Sequence, residues 1–479
     1  MSSMDGAWNT PEAAGNGGAA RGVVISGERV PRAARVNQLN RVFHYVLLVY
    51  LFMYFSRLPE LLSWLRIGLI MQPILLIGLF MTDQVNVLTK LRPTRWLIAL
   101  TIWVGLCVPF SVWPGGSVAA FMNTLQSLLL VSYILAFIRS LPDIRRAFTA
   151  VGLASGLIAI ISFVSSADID NRQGMGGSAS LADPNFYALY LLVGGVFLCW
   201  VAVQKRGFMR FLAMALIPIN LAGILRSGSR AGLLTLGVGI VIFLIRASAK
   251  QRTLVLSACA IGLLVSLAFL PQKIKTRFTT WLSPGGFSSF LSGKQAEPTE
   301  KDFDVNGMTS SQAASDEEIT GSQASTEARL YLLRESLLLT AMNPIFGVGP
   351  GQFEVAEAAY AAKRGIKGIW HYTHNTYTQM SSECGIPGLV MFIGALFPGY
   401  GSLSLFRRHG PTRSIRQTAL FLQTAYLMLM VGAFFLSLGY GGLPFVLIAF
   451  SGAFKRAVRS QVKRIGPQIM QQAEVSLAV

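Results

Sequence analysis

Twelve runs of mostly apolar residues constrain this chain more than any other feature of its sequence. They lie at approximately 42–56, 61–81, 96–113, 118–138, 147–165, 185–203, 208–225, 231–246, 253–270, 387–406, 417–437 and 439–454. A helix that crosses the hydrocarbon core of a bilayer needs about 20 such residues. Closed β-barrels are the other structure that satisfies every backbone polar group in lipid, but their strands alternate, and these runs are continuous. The first and last runs are short and read as tilted or re-entrant segments. Composition agrees: 52% of residues are hydrophobic and only 13% charged, where a soluble domain carries roughly 25% charged residues. The sequence predicts an all-α, polytopic membrane protein of about 12 transmembrane helices.

The net charge of +19 would suit a nucleic-acid partner, yet its placement follows membrane topology. With the N-terminus inside, five short inner loops hold sixteen basic residues, among them Arg92, Arg145, Arg206, Lys250 and Arg413. The two tails add Arg21, Arg29, Arg32, Arg35 and Arg41 at one end and Lys455, Arg456, Arg459, Lys463 and Arg464 at the other. The short outer loops carry only Arg57, Arg172, Arg226 and Arg230. This is the positive-inside pattern, and it places both termini in the cytoplasm. No nucleic-acid module accompanies the charge, so no nucleic-acid partner is expected.

Residues 1–41 are polar and rich in Gly and Ala, and a cleavable signal would carry its apolar core nearer the start. They read as a disordered cytoplasmic tail, 42–270 as the first nine spans, 387–454 as the last three, and 455–479 as a second cytoplasmic tail. Between the ninth and tenth spans, residues 271–386 form one large outer loop. Its part 284–325 is acidic, polar and poor in large apolar residues, the composition of a flexible linker. Order is expected to return over 326–386. There Thr326 serves as an N-cap, "EARLYLLRESLLLTAMN" as an amphipathic helix beside the membrane surface, "FGVGPGQF" as a turn and "EVAEAAYAAK" as a short helix. Cys107, Cys199 and Cys259 fall within spans and Cys384 outside them, which supplies no disulfide framework or CxxC metal pattern.

Polar chemistry gathers in three clusters on the outer side. In "LRSGSRAG", Arg226 ends one span and Arg230 opens the next. One arginine could snorkel to lipid headgroups, but two guanidiniums where positive charge is otherwise scarce fit the holding of a phosphate group. In "DNRQGMGGSASLADPNFYAL", Asp183-Pro184 has the form of an N-cap followed by a first-turn proline, and Arg172 is a further candidate for an anion. In "HYTHNTYTQMSSECGIPG", His371 and His374 stand three apart. A zinc site needs three or four ligands, and no third is evident, so no metal and no cofactor is expected. A histidine in a packed loop is often purely structural. His374, however, is followed by Asn375, Thr376 and Tyr377, a group able to orient sugar hydroxyls or take a proton from one.

Taken in order, "LADPNFYAL", "LRSGSRAGLLTL", "RLYLLRESLLLTAMNPIFGVGPGQF", "HNTYTQMSSECGIPG" and the late "FFLSLGYGG" resemble the O-antigen ligase and polymerase superfamily of bacterial inner membranes. The similarity spans roughly residues 100–450 and leaves out the first tail and the linker. It implies a membrane-embedded glycosyltransferase that takes a glycan from an undecaprenyl-pyrophosphate carrier and places it on an acceptor such as lipid A–core, at the periplasmic face. By this resemblance Arg230, Arg329 and His374 match the family's arginines and histidine, while Arg226 and Arg172 lie close to its basic positions. Asp183, Pro184 and Asn185 match its "PN" element. A preformed sugar pyrophosphate needs only neutralisation of its leaving group, which arginines supply without metal, and a base for the acceptor hydroxyl, here His374. Asn375 and Tyr377 are expected to contact the glycan, and direct displacement would invert the anomeric centre. His371 and Glu383 are given no role. The motifs are shared across the superfamily, so a glycan polymerase is the alternative to a ligase, with transfer onto protein less favoured. A twelve-helix flippase would need cations through the bilayer depth, where Arg66 is the clearest interior candidate.

Overall fold

The computed structural model describes residues 32–62, 64, 66–164, 166–169, 172–175, 181–269, 274 and 327–477. Residues 1–31 of the expected tail, the linker 284–325 and the expected cap Thr326 lie outside the described residues. The chain forms α1 (Arg32–Ser56), α2 (Leu58–Leu61), α3 (Ile67–Met81), α4 (Arg92–Cys107), α5 (Pro114–Phe137) and α6 (Leu141–Val164). Strands β1 (Ser166–Ile169) and β2 (Arg172–Met175) follow, then α7 (Pro184–Gln204), α8 (Phe208–Arg226), α9 (Arg230–Arg246) and α10 (Ala249–Phe269). Residues 327–342 are α11. The chain ends with α12 (Phe353–Lys363), α13 (Thr376–His409), α14 (Arg413–Gly432) and α15 (Gly442–Leu477).

Each of the twelve apolar runs falls on a helix. Among the described residues seven helices are long and apolar enough to cross a membrane: α1, α4, α5, α6, α7, α8 and α13. The other five runs lie on α3, α9, α10, α14 and α15. Several boundaries differ from the sequence expectation, each for a local reason. α1 begins at Arg32, inside the expected tail, and α15 runs on through most of the expected second tail. The run 61–81 starts its main helix only at Ile67, because Arg66 adopts a left-handed backbone with φ 43°. The run 96–113 stops at Cys107 and tightens into a 3₁₀ turn over Val108–Phe110, where Pro109 has no N–H to continue an α-helix. Pro114 then opens α5. The loop after α6 contains the antiparallel pair β1–β2, with Ile169 opposite Arg172. It is a small departure from an all-helical fold.

The bundle is centred on α7. Of its apolar window 72% is buried, against 28% for α13, so α7 is surrounded by other helices and α13 keeps a broad apolar face outward. Phe148 of α6, Phe197 and Trp200 of α7 and Phe450 of α15 pack as one aromatic knot, with Phe148 4.6 Å from Phe197 and 5.5 Å from Phe450 between ring centroids. The Trp200 indole N–H donates to Thr418 Oγ1 of α14 at 3.3 Å, which gives a buried polar edge its partner. Outside this core, α11 buries Leu332 and Leu339 with Val348 and with Phe353 and Ala356 of α12, and leaves Leu330 and Leu337 exposed.

α13 is broken at Gly385, whose φ is 69° and ψ −179°. A side chain is impossible there: an added Cβ would lie 2.0 Å from the Ile345 carbonyl oxygen. The break lets the turn 343–352 lie against the backbone. Val348 N–H donates to Ser382 O at 2.8 Å, Gly349 N–H to Glu383 O at 3.0 Å and Ile386 N–H to Pro344 O at 2.8 Å. The Trp103 indole of α4 donates to Cys384 O at 2.8 Å. The first nine residues of α13 are thereby held as a separate piece that begins two residues after His374.

Candidate functional site

The sequence around residues 183–185 makes a helix start, and that start is joined to the arginine cluster. Asp183 caps α7: its Oδ1 accepts the Asn185 backbone N–H at 2.6 Å, and Pro184 occupies the first turn, where no N–H is required. The Ser229 hydroxyl donates to Asn185 Oδ1 at 2.8 Å. The same Ser229 Oγ accepts the Gly232 N–H at 3.0 Å and so caps α9. One serine thus ties the beginnings of α7 and α9 together, with Arg230 as the first residue of α9 and Arg226 in the last turn of α8. Arg226 lies over the Phe163 ring, 5.1 Å from its centroid. The positions of the two arginines differ electrostatically. A cation suits the C-terminal end of α8, whereas at the N-terminus of α9 the helix dipole repels it. A guanidinium placed there together with the first N–H groups of a helix makes a site for an anion.

His374 sits immediately before α13. Its backbone is left-handed, with φ 51°, a conformation enriched at functional sites and sustained only when the surroundings enforce it. Those surroundings are visible on its C-terminal side. Asn375 Oδ1 accepts the N–H groups of Tyr377 at 2.9 Å and Thr378 at 3.2 Å. Thr376 N–H donates to Ala433 O at 2.7 Å, and Thr376 Oγ1 accepts the Leu438 N–H at 3.0 Å. Gln379 Oε1 accepts the Gly439 N–H at 3.0 Å, and Thr373 Oγ1 meets Ser437 Oγ at 2.9 Å. The segment after α14, which carries "FFLSLGYGG", therefore clamps the start of α13.

The half-buried imidazole of His374 is within electrostatic reach of Asp183 and of Arg329. Burial first, then the charge of Arg329 on α11 and the neighbouring His371, pull its pKa down to about 4 against the opposing charge of Asp183. The ring is neutral at neutral pH, and one of its nitrogens keeps a lone pair that can accept a proton. Arg329, Asp183 and His371 all lie close enough to act on it electrostatically, and the His371 ring centroid is 5.9 Å away. Asp183 is in turn linked through Asn185 to Ser229, the residue before Arg230.

Residues 215–393 match the family model described as O-antigen ligase. Over these residues the chain carries the domain of the O-antigen ligase family. The match runs from the second half of α8 into α13 and so includes Arg226, Arg230, Arg329 and His374, while the Asp183–Asn185 cap precedes it. No curated protein matches the chain. That domain supports a glycosyltransferase-like activity of the O-antigen ligase or polymerase type, and with the apolar helices it supports a multi-pass membrane protein.

Within this O-antigen ligase domain, two residues expected at the glycan have other duties. The Asn375 carbonyl oxygen is occupied as the N-cap of α13. The Tyr377 hydroxyl donates to Met430 O at 3.0 Å, and its ring packs on Phe434 at 4.6 Å. Both orient His374 by fixing the helix behind it. Arg172 lies on β2, but its side chain is outside the described residues. Conversely, sequence reasoning passed over the carboxylates that hold the site. Glu357 of α12, fully buried, accepts the Tyr331 hydroxyl of α11 at 2.9 Å and the N–H groups of Ile369 at 3.2 Å and Trp370 at 3.3 Å. Glu335 of α11 pairs with Arg364 at 2.7 Å. Glu383 accepts the Gly351 N–H at 2.8 Å. For Glu357 the sequence offers an acid inside the alanine-rich "EVAEAAYAAK", which does not reveal that its side chain turns inward to a loop.

Proposed function

We propose that this protein is an O-antigen ligase: it transfers a glycan from an undecaprenyl-pyrophosphate carrier to a hydroxyl of an acceptor such as lipid A–core, at the periplasmic face of the bacterial inner membrane. The observation that carries the proposal is a neutral, half-buried imidazole under the influence of Arg329 and Asp183, joined through the capped start of α9 to Arg230. His374 takes the proton of the acceptor hydroxyl. The hydroxyl oxygen forms its bond to the anomeric carbon as the bond from that carbon to the diphosphate oxygen breaks, with inversion. The electron pair leaves on the diphosphate, whose growing charge is met by Arg230, Arg226 and Arg329 without a metal. Asp183 stabilises the imidazolium that results.

The depressed basicity of His374 has a place in this sequence. Burial, with the added charge of Arg329, keeps the ring neutral and weakly basic. A bound diphosphate offsets that positive charge and raises the affinity of the ring for a proton, so the base gains strength once the donor has arrived. A cell lacking the protein tests the reading: lipid A–core should lose its polymer while polymer still accumulates on the carrier. Single repeat units in place of polymer would make the protein a polymerase of the same superfamily. In purified protein with defined donor and acceptor, His374→Ala should lower turnover about 10²–10⁴-fold while the carrier still binds.

A further inference from the structure

Between Glu357 and the α13 cap, residues 369–373 form a short strip pinned at both ends. At one end the buried Glu357 carboxylate holds the N–H groups of Ile369 and Trp370. At the other, Thr373 is buried against Ser437. Trp370 has φ 55°, the left-handed region that bulky side chains rarely occupy. The enforced backbone does not bury the indole. Trp370 is 61% exposed and Tyr372 57%. Polar groups accompany them: Glu354 holds the Tyr372 phenol above its ordinary pKa, and His371 stands beside His374. Two exposed aromatic rings, a carboxylate and an imidazole match a sugar ring, which has apolar C–H faces and a rim of hydroxyls. Aromatic side chains with polar tips serve where one side of the partner is apolar and the other wet.

We propose that Trp370 and Tyr372 form a stacking platform for a pyranose ring of the acceptor glycan, with Glu354 and His371 as hydrogen-bond partners for its hydroxyls. The word acceptor rests on the transfer reading above; the saccharide subsite does not. The arginine pair on α8 and α9 takes the donor diphosphate. His371, within the platform, has its ring centroid 5.9 Å from that of His374, so a hydroxyl held there lies near the base.

The test uses the full-length protein in nanodiscs and, as probe, the lipid-free oligosaccharide released by mild acid from the host's surface glycolipid, with affinity read by calorimetry. Trp370→Ala and Tyr372→Ala should each weaken binding about 10-fold, as expected of a contact that anchors a ligand. Trp370→Phe, which keeps an aromatic face, should stay within about 3-fold of wild type, and equal melting temperatures guard against misfolding. Unchanged affinity in Trp370→Ala, or no binding by the wild type, overturns the proposal. So does fluorescence specific to Trp370, taken as wild type minus Trp370→Phe, that brominated lipids quench and the oligosaccharide leaves unaltered, since the rings are then an interfacial anchor. Aromatic-dependent binding in a protein that transfers no glycan from any polyprenyl-linked donor keeps the subsite and removes the transfer reading.

Discussion

The proton affinity of His374 offers the sharpest check on the site, because two neighbours push it in opposite directions. Burial is the largest cause, Arg329 adds to it and Asp183 opposes it, bringing the ring from the ordinary 6.5 to about 4. That is a roughly 300-fold loss of proton affinity. If His374 is the base, kcat/KM, which reports the free enzyme, should be flat through neutral pH and fall only below pH 5, with its acid limb near 4. Arg329→Gln removes a repelling charge, so the limb should move up yet stay below 6.5, since burial remains. Asp183→Asn keeps the α7 cap but removes the attracting charge, and its limb should move down. The limb of kcat should lie above that of kcat/KM in the wild type, because the bound diphosphate offsets Arg329. Both variants lose amplitude as well, but limb position is independent of amplitude. The measurement is initial transfer rate against pH with the imidazole titrated in parallel by NMR. A wild-type limb between 6 and 7, or one that neither variant moves, would refute the reasoning. The same depression bears on stability. The unfolded ring binds a proton that the folded ring resists, so this residue's contribution is complete above about 6.5 and drains away as pH falls through about 4.

Arg230→Ala should weaken donor binding and turnover together, and Arg230→Lys should restore only part of either, because an ammonium lacks the bidentate fork; equal rescue by lysine in a donor-binding and rate assay argues against phosphate contact. Gly385→Ala should destabilise the protein by about 3 kcal/mol or more, since its φ of 69° and the Ile345 oxygen 2.0 Å from the new Cβ leave no way to relax; a melting curve close to wild type would show that the break tolerates a side chain. A reporter inserted at Ser311 should be active only if it works outside the cytoplasm, and a cytoplasmic signal there would move the site to the wrong face. Glu357→Ala leaves the Tyr331 hydroxyl and two backbone N–H groups without their acceptor, and hydrogen exchange at Ile369 and Trp370 should rise at least about 10-fold.

The membrane-spanning character of the chain was legible in its sequence because it is a local property. A run of about 20 apolar residues favours lipid whatever its neighbours are, and the expectation of sidedness from basic residues likewise rests on each short loop by itself. Local capping chemistry was legible in the same way, as Asp183-Pro184 shows at the start of α7. The family motifs likewise brought Arg230, Arg329 and His374 into view. Their assembly was another matter. The Ser229–Asn185 hydrogen bond joins residues 44 apart in sequence, and whether Arg329 reaches His374 depends on how α11 docks on α12 and on the turn 343–352. Asn375 and Tyr377 carry the same groups whether they face a sugar or a helix end, and only packing against α14 and the segment after it decides between those uses. A buried carboxylate such as Glu357 becomes intelligible once the loop it holds is in place. The residue types were set by the chain, while their charge states and partners were set by burial and proximity, which exist only after the helices have met.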